Sequence, residues 1–199
     1  MNFEFNQLMQ SGGPIMWVIF VVAWLAFIML IERSLRIVAW RKKAIADQAL
    51  LDNQTELKAP HAHQQLKGSP IALVLGNISW SEVNSREDLA EGMNTHLAEL
   101  MPRLEGTLPT IAIIGSLLPM LGLLGTVMGM IEVFQVIAVE GTGNAQDMAG
   151  GISQALLTTA SGLIIAIPVI FAHHLLARQL RYVLAVTEQS MHTLYSKGV

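Results

Sequence analysis

The chain has no cysteine, which excludes disulfides, thiol catalysis and cysteine-ligated metals. It is also poor in charge. Asp, Glu, Lys and Arg make up only 14% of its 199 residues, while 52% are hydrophobic. A soluble domain of this length carries more charge than that. The net charge of −3 is the wrong balance for nucleic acid, which wants a basic face. Residues 1–31 contain no Lys or Arg, unlike the basic start of a cleaved signal peptide. No HExxH motif is present, and neither composition nor spacing points to catalytic residues, a metal site or a cofactor.

The chain does have long apolar runs. No charged residue lies between Glu105 and Glu132, and none between Asp147 and Arg178. At a rise of ~1.5 Å per residue each run exceeds a ~30 Å hydrocarbon core. A third run opens at Pro14 and closes on Arg33, Arg36, Arg41, Lys42 and Lys43, with Trp17 and Trp40 at its ends. The reading is an all-α integral membrane protein. Its membrane helices fall at 14–38, 107–139 and 150–177. Residues 39–106 form a mostly helical cytoplasmic region. An external segment covers 1–13, an external loop 140–149 and a cytoplasmic tail 178–199.

All twelve Lys and Arg lie within 33–103 or 178–197. The positive-inside rule then places the N-terminus outside and the C-terminus inside. Phe3, Phe5, Leu8 and Met9 could lay a short amphipathic turn on the bilayer. His61 and His63 form an HxH pair, without the further ligands a metal needs. Ser85, with Asp88 three residues on, predicts a helix start. Leu89, Met93, Leu97, Leu100, Leu104 and Leu108 follow as an apolar stripe leading into the second membrane helix, with Pro102 and Pro109 placed to bend it. Leu180, Val183, Leu184, Thr187 and Met191 keep a helical spacing in the tail.

Inside the central helices, Gly115, Gly122 and Gly129 recur every seven residues, with Gly125 between them. On the third helix Ala155, Thr159, Gly162 and Ala166 form a second small face. Such faces let helix backbones approach closely in lipid. Thr126 lies deep in the second helix, and Gln154, Thr158, Thr159 and Ser161 lie in the third. Ser and Thr can bond their own backbone, but a cluster with Gln suggests a wet or hydrogen-bonded interior. Glu132 is the carboxylate inside the second run, where a charge costs roughly 3 kcal/mol on insertion scales. It must face protein or water, be protonated, or sit at the outer interface. A proton relay needs a group that changes charge. Apart from Glu132 the apolar runs offer none at depth, so a partner must supply it.

GLLGTVMGMIEVF, then GISQALLTTASGLIIAIP after a short loop, resembles the core of the MotA/TolQ/ExbB proton-channel family. Length and three helices favour its ExbB/TolQ branch. The resemblance implies a homo-oligomer, a pentamer, whose second and third helices line a pore. It implies an ExbD-like single-helix partner with a membrane aspartate, and a TonB-like protein worked by the proton motive force. Thr126 and Thr159 match the family's pore threonines, and Pro119 and Pro168 its prolines. Many relatives carry Glu where this chain has Gln154. The pathway expected is therefore Thr126, Thr158, Thr159, Gln154 and Glu132, with Gly115, Gly122, Gly125, Gly129 and Gly162 for packing. A TolQ-like envelope role and a non-conducting scaffold remain alternatives.

Overall fold

The computed structural model describes residues 9, 11–53, 66, 68–79, 81, 83, 85–141 and 145–197, apart from the side chains of Glu140, Asp147 and Lys197. The expected surface turn at Phe3, Phe5 and Leu8, and the His61/His63 pair, lie outside these residues. Among the described residues five helices follow in order: α1 Gly13–Asn53, α2 Pro70–Gly76, α3 Arg86–Glu105, α4 Leu108–Glu140 and α5 Ala145–Lys197. There is no strand among the described residues. Among the described residues three stretches are long and apolar enough to cross a membrane: Gly13–Asn53, Arg86–Val139 and Met148–Ser196. The protein is thus an all-α membrane protein. It divides into two units, Met1–Ile31 with Pro109–His173, and Glu32–Leu108 with His174–Val199.

In the first unit the early part of α1 packs on α4 and α5. Ile19, Ala26, Ile111, Leu118, Ala166 and Val169 form its buried core. The outward residues of the same helices stay apolar: Trp24, Phe27, Leu123, Phe134, Ile164 and Phe171 are all more than half exposed. Such inversion of the soluble pattern suits a lipid or helix environment, where apolar side chains cost nothing to expose.

The second unit has its own apolar core, built from Ile37, Leu51, Ile71, Leu75, Leu89, Met93, Leu104 and Leu194 among others. Its helices start where local chemistry satisfies orphan amides. Ser85 Oγ accepts from Asp88 N at 3.1 Å, and Asp88 Oδ2 accepts from Ser85 N at 2.9 Å, completing a capping box. Behind that cap, Leu89, Met93, Leu100, Leu104 and Leu108 of the expected stripe are buried and Leu97 is partly buried. Leu180, Val183, Thr187 and Met191 of the tail stripe are buried too. The tail is the direct continuation of α5. Helix α2 had no counterpart in the sequence reading. Ser69 caps it, accepting from Ala72 N at 3.3 Å, and Pro70 stands at its first position.

One expectation is corrected. The interruption between the stripe and the second membrane helix falls at neither Pro102 nor Pro109. The chain breaks at Gly106 and Thr107. Pro102 lies within α3 without ending it, and Pro109 sits in the first turn of α4, where a missing N–H is harmless. The break is made by Gly106, at φ +50, whose N–H donates to Pro102 O at 2.9 Å. A Cβ at Gly106 would lie 2.6 Å from Arg33 Nη1. The sequence reading took Arg33 only as part of a basic stop. Instead its side chain is buried, 1% exposed, with its guanidinium 5.2 Å from the centre of the Trp40 ring.

Candidate functional site

The site lies in the first unit, along the seam between α4 and α5. Its register is fixed by close approaches at glycine. A Cβ at Gly115 would lie 2.8 Å from Ile170 Cγ1. One at Gly162 would lie 2.7 Å from Leu118 O, and one at Gly122 3.0 Å from Thr159 Cα. One at Gly129 would lie 2.6 Å from Gly151 O and 2.9 Å from Ala155 Cβ. Several of these neighbours are backbone atoms, which cannot swing aside. Two antiparallel helices therefore approach main chain to main chain at Gly122, Gly129 and Gly162, while Gly115 meets the side chains of Ile170 and Val169. Gly151 belongs to the same seam, 3.0 Å from Gly129 O by the same construction. Gly151 stands outside the heptad spacing, and its place one turn before Ala155 is the signal in the sequence.

The threonines take three different environments. Thr159 Oγ1 donates to Gly122 O at 2.9 Å, a bond from α5 to α4. Thr158 is fully buried, and its hydroxyl is shared between Ala155 O at 2.9 Å and Gln154 O at 3.1 Å. Its side chain fills the space a Cβ at Gly125 would take. Thr126, next to Gly125, donates to Leu123 O of its own helix at 2.6 Å and stays partly exposed. The seam thus gathers Thr158 and Thr159 with Gly122, Gly125 and Gly129, while Thr126 lies at its edge. Pro119 is half-buried within α4, and Pro168 is exposed within α5. Each removes one backbone donor from its helix.

Glu132 and Gln154 occupy the end of the seam beyond Gly129 and Ala155. Both line a cleft of about 340 Å³ shared with Gly125 and Gln135. Both also line a second cleft, of about 500 Å³, shared with Gln146 and Ser153. Glu132 is exposed and Gln154 half-buried. Gln154 reaches the start of α1, where a Cβ at Gly13 would lie 2.5 Å from its Nε2. Gly13 has φ +64, so glycine is required there twice over.

These features define a membrane protein whose polar groups are held between two close-packed helices. The chain belongs to the MotA/TolQ/ExbB proton channel family, whose model matches residues 54–189. It is similar to the biopolymer transport protein exbB1 of Vibrio cholerae, with 30% identity over 185 residues, 86% of this chain and 78% of that protein. It is also similar to the Tol-Pal system protein TolQ of Pseudomonas aeruginosa, with 36% identity over 88 residues, 44% of this chain and 38% of that one. The biopolymer transport protein ExbB of Aquifex aeolicus is 39% identical over 84 residues, 42% of this chain and 57% of that one.

Proposed function

We propose that this chain is the channel-forming subunit of a proton-driven motor in the bacterial inner membrane. It is not an enzyme. As a homo-pentamer, N-terminus periplasmic and C-terminus cytoplasmic, it surrounds an ExbD-like single-helix partner whose membrane aspartate carries the proton. The motor works a TonB-like protein that energises outer-membrane transport. The observation that carries this reading is the chemistry of the α4–α5 seam. Short of the end that holds Glu132 and Gln154, its polar side chains are hydroxyls bonded to backbone, at Thr126, Thr158 and Thr159. Hydroxyls can pass a proton along but cannot hold it as a changed charge. A partner carboxylate completes the path. Each charge crossing 100 mV supplies about 2.3 kcal/mol, so several protons serve each mechanical step.

The test is complementation. In a bacterium lacking its own ExbB and TolQ proteins, the chain and its single-helix partner should restore uptake through a TonB-dependent transporter. An uncoupler should abolish that uptake. The likeness to TolQ supports a second reading, in which envelope integrity returns and uptake does not. Neither recovery, with the protein in the membrane, would leave the non-conducting scaffold.

A further inference from the structure

Among the described residues, Glu132 is the only titratable side chain lining either cleft at the end of the seam. It lines both, as does Gln154. The rest of the polar lining is Ser11, Gln135, Gln146 and Ser153, which can hold water but not a proton. No Lys, Arg or His among the described residues lines either cleft. Clefts of this size have room for several waters, and polar side chains of Ser11, Glu132, Gln146, Ser153 and Gln154 line the larger one. Glu132 also stands at the end of a long uncharged run, opposite the first residues of α1 and α5.

We propose that Glu132 is a proton-loading site, set in a hydrated vestibule whose other wall is Gln154. A hydronium ion in the vestibule gives its proton to the Glu132 carboxylate and leaves as water. The neutral acid then returns that proton through water to the next acceptor, the partner's carboxylate, and is ionised again. The amide of Gln154 holds the water that bridges the step, and its seat against Gly13 keeps it there. Because both residues border both clefts, a carboxylate placed at residue 154 reaches the same water. This deepens the motor reading, and the outward direction of the vestibule rests on the topology proposed there.

Two measurements test it. The chain has no cysteine, so Glu132→Cys and Gln154→Cys each carry one thiol. In intact cells with a permeable outer membrane, a small charged thiosulfonate should modify both from outside. Thr158→Cys, fully buried on the seam, should stay unmodified. In the complementation assay, Glu132→Gln should lower energised uptake by roughly tenfold or more at unchanged protein level. Adding Gln154→Glu should restore part of it. An unreactive Glu132→Cys, or a Glu132→Gln chain with wild-type uptake, overturns the proposal. If the unaltered chain energises nothing, the motor reading fails instead, and the labelling still decides whether the vestibule exists.

Discussion

Thr159 of α5 donates its hydroxyl to the carbonyl of Gly122 on α4, at 2.9 Å. The close approach behind this bond suits Gly122, which has no side chain. A Cβ there would sit 3.0 Å from Thr159 Cα. The bond therefore reports both the register of the two helices and their closeness. Thr126 makes no such link, since its hydroxyl returns to Leu123 of its own helix.

Replacing Thr159 with Val keeps the shape and deletes the bond. We expect a loss of about 0.6 kcal/mol, the mean for such bonds between membrane helices. Thr126→Val should leave stability near wild type, because an intrahelical bond is lost without an interhelical one. Both should lower energised uptake, since each removes a hydroxyl from the proposed path. Thermal unfolding in detergent separates the first effect from the second. Equal destabilisation by both substitutions would mean that the bond to Gly122 contributes nothing.

Gly125→Leu drives a side chain into the space held by Thr158. Overpacking of this kind costs about 1–3 kcal/mol, more where backbone must move. The midpoint of thermal unfolding in detergent should fall as the two helices of the chain are pushed apart. Gly150→Ala is the control, because a Cβ there meets nothing within 4 Å. An unchanged midpoint for Gly125→Leu would refute close packing along the seam.

In the second unit, Gly106→Ala places a Cβ 2.6 Å from Arg33 Nη1, at a backbone φ of +50 that suits glycine. It should destabilise by about 1–3 kcal/mol. Arg33→Ala in the same chain should recover part of the loss, because the clash is with the tip of that side chain. Coupling between contacting residues amounts to roughly 0.5–3 kcal/mol. A double-mutant cycle from unfolding midpoints measures it. Strict additivity would show that the approach of Arg33 to Gly106 is energetically empty.

The membrane helices were readable because a run without charge is a strong, one-dimensional signal. The glycine seam was readable for a related reason: Gly115, Gly122 and Gly129 keep one spacing. The capping box at Ser85 is local and was visible as two residue types three apart. What escaped was three-dimensional. Thr158 and Thr159 are neighbours in sequence, and spacing alone could not say that one is buried against Gly125 while the other bonds Gly122. Pro102 and Pro109 drew the expected bend, yet the break sits at Gly106, where a positive φ ends α3. Arg33 looked like one more charge at a membrane edge, and only packing reveals that it is covered.

The most direct test of the account is proton flux. The chain and its single-helix partner are reconstituted in liposomes, and internal pH is followed under an imposed membrane potential. The account predicts a flux that needs both proteins and falls sharply in the Thr126→Val/Thr159→Val chain, with assembly intact. A flux unchanged by the double substitution, or no flux from the assembled wild-type pair, would contradict it.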